Sequence, residues 1–311
     1  MITLTTFDQI AAYPHPLHVA IGVFDGLHIG HQAVLKLAIN AAHEQGGEIG
    51  LVSFDPHPIR VIAPNKAPKA LLTPLAHKAE IARRLGVGVF VPLHFDPSMA
   101  ALEATAFLDN LTRADIRTIA VGEDWRFGHN RAGDVSMLAR EAHAKGFRLQ
   151  AVPPVMWDGD RISSTRIRQA LHDGNLADVE QMLGRPWSLR GEVSSGQRLG
   201  RTLGFSTANI VPRDVQLPPH GVWVAQVETA DGRNHDAVAN LGMRPTVDGT
   251  ELRLEVHLLD FERDLYGQVI ETRFLHHIRP EQRFESLESL REAIASDVAT
   301  ARLWFAANNE G

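Results

Sequence analysis

The chain has 311 residues, 44% hydrophobic and 22% charged, with a formal net charge of -6. That length favours about two domains with packed cores, and the acidic balance excludes a nucleic-acid or membrane partner held by bulk positive charge. The absence of cysteine excludes disulfides and thiolate chemistry. No apolar run reaches membrane-spanning length and the first residues lack a basic, apolar leader, so the expected location is the cytoplasm.

Leu17 to Ile21 reads as a short buried strand, and Val34, Leu35, Ala38, Ile39 and Ala42 recur at helical spacing until Gly46-Gly47. Between them lies Gly22-Val-Phe-Asp-Gly-Leu-His-Ile-Gly-His31. A strand that enters a tight loop and then a helix gathers free backbone N–H groups and the positive end of the helix dipole at one point, which is a generic anion site. Gly22, Gly26 and Gly30 let the backbone approach a ligand. His28 and His31 stand three apart and face the same way once the helix has begun. Two imidazoles beside an anion site suit a reaction that builds negative charge on phosphate oxygens. The stretch is neither G-x-x-x-x-G-K-[ST] nor G-x-G-x-x-G. Taken alone, it also fits an ordinary α/β connection with two surface histidines.

Strand and helix patterns alternate up to about Leu183, which predicts a parallel sheet with helices on both faces. Glu48 to Phe54 is a strand that ends in Asp55-Pro-His-Pro58, where two prolines exclude helix and stiffen a loop. Open α/β sheets bind ligands at that end, although the segment also fits a plain rigid connector. A helix follows from about Leu75 to Leu85, then a strand from Val87 to Leu93, a helix from Glu103 to Arg113 and a strand from Arg117 to Gly122. Glu123-Asp-Trp-Arg-Phe-Gly-His-Asn-Arg-Ala-Gly-Asp134 suits a flat ligand and its phosphate, and equally an exposed loop around one buried Trp. A further helix and a strand from Phe147 to Val152 complete the sheet. Arg161-Ile-Ser-Ser-Thr-Arg-Ile-Arg168 then opens a helix through Leu171, with Ser163 or Ser164 as N-cap. Arg166 and Arg168 in its first turn oppose the dipole at a cost of roughly a few tenths of a kcal/mol each. A bound anion removes that cost, so the two arginines read as a phosphate clamp.

At Gly184-Arg-Pro-Trp187 the character changes. Strands are expected at Leu189 to Val193, Val222 to Val227, Ala237 to Asn240, Leu252 to Leu259 and Val269 to Phe274, forming a small antiparallel barrel or sandwich. A last helix carries Leu287, Leu290, Ile294, Val298 and Ala301 as its apolar stripe, with Ser286 as N-cap. Gly196, Gly200 and Gly204, with Arg198 and Arg201 between them, could wrap a polyphosphate, or form a glycine-rich hairpin. Thr207 and Asn209 offer neutral oxygens to a nucleotide-bound Mg²⁺, which needs only one or two protein ligands. In Glu251 to Leu259 the alternation is strict, with Leu252, Leu254, Val256 and Leu258 on one side and Glu251, Arg253, Glu255 and His257 on the other.

His28-Ile-Gly-His31 resembles the signature of the HxGH nucleotidyltransferases, and Gly22-Val-Phe-Asp-Gly26 narrows the resemblance to the bacterial FAD synthetases. Ile162-Ser-Ser-Thr-x-Ile-Arg168 looks like the second signature of that superfamily. Gly200-Arg-x-Leu-Gly-Phe-x-Thr-Ala-Asn209, Asn240-Leu-Gly-x-Arg-Pro-Thr246, Glu255-x-His257, Asp264-Leu-Tyr-Gly267 and Ile278-Arg279 through Phe284 resemble the riboflavin kinase pattern in order and spacing. The match covers nearly the whole chain and resembles the bacterial bifunctional riboflavin kinase/FMN adenylyltransferase family. It implies a Rossmann-like domain over residues 1–183 and a kinase barrel with a C-terminal helix over 184–311. It implies phosphorylation of riboflavin to FMN by ATP, then adenylylation of FMN to FAD and pyrophosphate, with Mg²⁺ on ATP and small molecules as the only partners. No oligomeric state follows from it.

By the same resemblance His28, His31, Arg168 and Glu255 are catalytic, Glu255 taking the hydroxyl proton. Gly22, Phe24, Asp25, Gly26, Ser163, Ser164, Thr165, Gly196, Gly200, Arg201 and Gly204 bind nucleotide. Pro56, Pro58, Phe127 and Arg279 contact flavin, and Thr207 and Asn209 hold the metal. The family's kinase motif usually reads Pro-Thr-Ala-Asn, and here Ser206 replaces the proline, which leaves that turn freer and raises an alternative, an FAD synthetase with an impaired kinase domain. A second alternative is a non-catalytic flavin-binding regulatory protein, against which the retained His28, His31, Arg168, Thr207, Asn209 and Glu255 argue.

Overall fold

A computed structural model of the chain describes residues 1–194, 205, 207–246 and 249–308. Packing divides it into two compact units, Met1–Arg166 and Ile167–Gly311.

The first unit is built on six parallel strands, β1 (Ile2–Thr3), β2 (Leu17–Ile21), β3 (Glu48–Asp55), β4 (Val89–His94), β5 (Ile116–Gly122) and β6 (Arg148–Val152), in the order β1-β4-β3-β2-β5-β6. Its helices are α1 (Phe7–Ala11), α2 (Ile29–Gln45), α3 (Pro58–Ile62), α4 (Leu75–Arg84), α5 (Pro97–Ala100), α6 (Ala104–Leu111) and α7 (Val135–Lys145). A small hairpin, β7 (Met156–Trp157) and β8 (Asp160–Arg161), precedes α8 (Ser164–His172). Both faces of the sheet are covered. Val19, Ile21, Val52, Val91 and Val121 pack under α6 and α7 through Phe107, Leu108 and Leu138. Ala20, Leu51, Phe90 and Ala120 pack on the other face under α2 and α4 through Leu35, Ala38 and Ile81. Strands buried on both faces read as unbroken apolar runs, which is why they stand out in the sequence.

The order of strands reverses between β2 and β5, so a crevice opens at their carboxyl ends. Because all strands are parallel, the loops after β2, β3 and β5 leave the sheet at this same edge. The segment after β3 departs from expectation. Pro58 does not exclude helix but opens α3 as its first residue, where a proline loses no hydrogen bond, and His57 caps it.

The second unit begins with the end of α8 and with α9 (Leu176–Leu183), which packs against the barrel strand β14. Its strands are β9 (Ser188–Glu192), β10 (Ala208–Ile210), β11 (Gly221–Glu228), β12 (Asn234–Thr246), β13 (Gly249–Leu258) and β14 (Val269–Arg279), antiparallel in the order β10-β13-β12-β11-β14-β9. The Ser194 N–H donates to the Asn209 carbonyl at 2.8 Å and ties the edge after β9 to β10, so the sheet is nearly closed into a barrel. Trp223, Ala225, Ala239, Leu241, Leu254, Val256 and Phe274 are buried along the inward-facing register. The C-terminal helix, Leu287–Asn308, lies over Val222, Val224 and Val238 through Ala301 and Phe305. Ser286 caps it by accepting the Ser289 N–H at 3.1 Å. Leu287, placed on its stripe from sequence, is 61% exposed, because the buried face runs instead through Val298, Ala301, Trp304 and Phe305.

Candidate active sites

The loop after β2 is a tight, strained turn. Phe24, Gly26 and Leu27 have φ of 53°, 89° and 43°, and only glycine adopts the middle value freely. Such strain persists where the surroundings over-determine it, and they do so here. The Asp25 carboxylate is buried and accepts the N–H groups of Leu72 (2.9 Å) and Thr73 (3.1 Å). Thr73 Oγ1 accepts the Gly26 N–H at 3.0 Å. From beneath, Ser53 Oγ and Lys78 Nζ donate to the Val23 carbonyl at 2.9 and 2.8 Å. Ser164 Oγ donates to the Asp25 carbonyl at 2.8 Å, which docks the second signature onto the first.

His28 ends the turn as the N-cap of α2, its Nδ1 accepting the His31 N–H at 3.3 Å. The two imidazoles stack with centroids 3.5 Å apart, and Phe24 packs edge-on against His31 at 5.3 Å. Gly22 leaves room for the Phe24 ring, which a Cβ there would approach to 3.2 Å. The His31 Nδ1 is buried with no hydrogen-bond partner among the described residues. Burial, then the neighbouring charges of His28, Lys78 and Arg161, hold His31 well below the usual histidine range. His31 is therefore neutral, with one ring nitrogen carrying a proton that can be donated.

Ser163 is the cap of α8, its Oγ accepting the Arg166 N–H at 3.2 Å, and Thr165 is exposed in the first turn. The clamp expected of Arg166 does not form. Its Nη1 donates to the carbonyls of Trp157 (2.7 Å) and Asp160 (3.0 Å), and its guanidinium lies 4.9 Å from the Trp157 ring centre. Hairpin carbonyls satisfy the charge that the sequence seemed to leave for phosphate. Arg168 follows Ser164 one turn along α8. Pro56 and Pro58 flank the start of α3, and Phe127 is buried against Phe107. The buried aromatic of the loop after β5 is thus Phe127, with Trp125 stacked on it at 4.5 Å.

In the barrel, pairing puts Asn209 of β10, Glu255 of β13 and Asn240 of β12 in one row. Directly paired residues project from the same face, so these three groups converge on the barrel's outer side, opposite the inward Leu254 and Val256. Asn209 is 5% exposed. Asn240 presents a buried Oδ1 with no hydrogen-bond partner among the described residues. Glu255 Oε2 accepts from Arg244 Nε (3.1 Å) and Nη2 (2.8 Å), and Arg244 Nη1 donates to Glu281 at 2.8 Å. Gly242 makes this possible, since a Cβ there would fall 1.9 Å from Glu281 Oε1. Thr207 and Asn209 line a cavity of about 270 Å³ with Leu258, Phe261, Asp264 and Tyr266. Arg279 makes a two-point ion pair with Asp297 of the C-terminal helix, at 2.9 and 2.7 Å. Gly196, Gly200, Arg201, Gly204 and Ser206 lie outside the described residues.

Sequence reading does not single out Ser53, Thr73, Lys78 or Asn240, which the fold brings against these candidate sites. Asn240 stands inside a motif that was read whole. The other three come from separate elements and converge only through the fold.

The sequence model of the FAD synthetase family matches residues 10–166, and that of riboflavin kinase matches residues 183–305. Fold and site therefore define a two-domain enzyme class, a nucleotidyltransferase domain followed by a flavin kinase domain. A bifunctional riboflavin kinase/FMN adenylyltransferase of Escherichia coli (strain K12) is 41% identical over 289 residues, 92% of either chain. Proteins of the same description from Pseudomonas fluorescens and Bacillus subtilis (strain 168) are 40% and 32% identical over 91% and 92% of either chain. The chain belongs to the bifunctional riboflavin kinase/FMN adenylyltransferase family. A solved structure described as a macrolide-efflux protein from Streptococcus pneumoniae is similar over 97% of this chain and 98% of its own, with 31% identity and a TM-score of 0.82. Among the described residues of this chain, no helix is long and apolar enough to cross a membrane.

Proposed function

We propose that this chain converts riboflavin to FAD in two ATP-dependent steps at two separate sites, residues 184–311 making FMN and residues 1–183 adenylylating it. The observation that carries the proposal is the presence in one chain of both constellations, the stacked His28–His31 pair at the sheet's switch point and the Asn209–Glu255–Asn240 row on the barrel.

In the kinase step the 5′-hydroxyl oxygen of riboflavin attacks the γ-phosphorus of ATP, the bond to ADP breaks, and Glu255 takes the hydroxyl proton. Asn209 and Thr207 hold phosphate and metal at the cavity beside them, and Arg279 borders the flavin. Their neutral oxygens fit a Mg²⁺ that arrives on ATP. Among the described residues no group of three or more His, Asp or Glu could hold a metal by itself. A Mg²⁺ held there would supply neutralisation of charge on the transferring phosphate.

In the second step an FMN phosphate oxygen attacks the α-phosphorus of a second ATP, and the α–β bond breaks to release pyrophosphate. The nucleophile is already an anion, so the protein has no proton to remove and its work is to position and stabilise. The amides of the Gly22–Gly26 turn and the start of α2 receive phosphate, with Ser163, Ser164, Thr165 and Arg168 of α8 holding the rest of the chain of phosphates. His28 and His31 donate to oxygens that gain charge in the transition state. Pro56, Pro58 and Phe127 border the flavin. The enzyme works on free small molecules in the cytoplasm. Incubation with riboflavin, ATP and Mg²⁺, followed by chromatography, should show FMN rising and then passing into FAD. Riboflavin left unchanged, or FMN that never becomes FAD, would contradict one step or the other.

A further inference from the structure

We propose that Lys78 is a positioning residue of adenylyl transfer, holding the turn that carries His28 and His31 from beneath through the Val23 carbonyl. The inference rests on reading that turn as the adenylyl-transfer site. On α4, Lys78 stands one turn before Ile81 and Ala82, which are buried in the core between that helix and the sheet. Helical spacing calls for an apolar residue at this place. The chain instead buries an ammonium there, 5% exposed, and a buried charge is costly unless it is held. The two oxygens that accept its protons are neutral, the Val23 carbonyl at 2.8 Å and Ser53 Oγ at 3.2 Å. Ser53 in turn donates to the same carbonyl. Two donors from two elements thus converge on one acceptor, and that acceptor belongs to the residue just before the strained stretch Phe24–Leu27.

The charge also acts on what the turn displays. His31 is faced by the stacked His28 ring, the Phe24 edge, and the charges of Lys78 and Arg161. Its Nδ1 is buried without a partner among the described residues, so an imidazolium would bury an unpaired N–H. Lys78 adds repulsion against that second proton. Burial lowers the lysine's own affinity for a proton, and the carboxylates of Asp25 and Asp55 counter it. An ammonium here therefore holds the place of the turn and adds to the burial and the His28 ring that keep its histidine neutral, whereas a methionine of similar length would supply only the packing.

The test uses the full chain with Lys78→Met and Ser53→Ala. Lys78→Met should lower kcat for FAD formation from FMN by roughly tenfold to a hundredfold, the scale of a small misplacement of reacting groups. Riboflavin phosphorylation should stay at the wild-type rate, and the His31 ring should titrate at higher pH by NMR. Ser53→Ala, which removes one tie and leaves the charge, should give a smaller fall in kcat and an unchanged His31 titration. FAD formation within about twofold of wild type in a folded Lys78→Met chain, with His31 unmoved, would overturn the inference. Should Lys78→Met not fold, Lys78→Gln decides, since a full rate there with His31 unmoved would show that the buried ammonium holds neither the turn nor its histidine. His31→Ala in parallel separates the two failures. If it retains FAD synthesis, the adenylyl-transfer reading itself is wrong; if it loses FAD synthesis while Lys78→Met retains it, only the role of Lys78 is.

Discussion

The two units build their sites in different ways. In the first, the proposed site centres on a loop at the end of a parallel strand, on contiguous residues whose backbone is forced into an unusual path. In the second, it is a row of side chains on the face of a barrel, where Asn209, Asn240 and Glu255 are far apart in sequence and meet only because three strands pair in register. A loop site depends on whatever holds the loop, so its weak points lie in the groups that pin it, Asp25 within the turn and Ser53 and Lys78 beneath it. A strand site inherits the rigidity of the sheet, so its weak points are the reacting groups themselves and the partner that aims them.

Substitutions should divide along this line. The largest effect is expected from Glu255→Gln, which keeps shape but cannot take the proton. Riboflavin phosphorylation should fall by roughly a hundredfold to ten-thousandfold in steady-state kinetics, with riboflavin binding and adenylylation of supplied FMN unchanged. Next come His31→Ala and Arg168→Ala, each of which should lower FAD formation from FMN by about a hundredfold or more while FMN formation continues. Asp25→Asn should act on stability more than on chemistry. It weakens the charge-assisted bonds to the Leu72 and Thr73 amides and should cost the first unit about 1–3 kcal/mol in denaturant unfolding. The smallest effect is expected at Ser206. Ser206→Pro should leave riboflavin phosphorylation equal or modestly faster, because proline restricts the backbone of the residue that precedes Thr207. A wild-type chain without kinase activity, rescued by that change, would show that the serine is disabling.

How much of this could be read from the chain follows the same division. The signature from Gly22 to His31 was legible because strand, turn and helix N-terminus are consecutive, and spacing alone put His28 and His31 side by side. The second signature was half legible. Ser163 caps α8 as expected, but Arg166 looked like a phosphate ligand because the hairpin carbonyls that take its charge are set by tertiary structure. In the barrel the alternation of Leu254, Val256 and Leu258 against Glu255 and His257 gave the strand and its faces. It gave neither the row with Asn240 nor the Arg244–Glu281 chain that holds Glu255, because strand register is not written in either strand alone. Lys78 was hidden for a related reason: one lysine on an amphipathic helix looks like a solvated charge until the fold buries it. The short strand β10 escaped notice because Ala208–Ile210 is too brief to show a period.

The central claim is that two independent sites are joined by FMN that leaves one and enters the other. Mixing two full-length variants, His31→Ala and Glu255→Gln, tests it most directly. Given riboflavin, ATP and Mg²⁺, the first alone should accumulate FMN and the second alone should leave riboflavin almost unchanged, while the mixture should make FAD. A mixture that stops at FMN, or either variant losing both activities, would contradict the account.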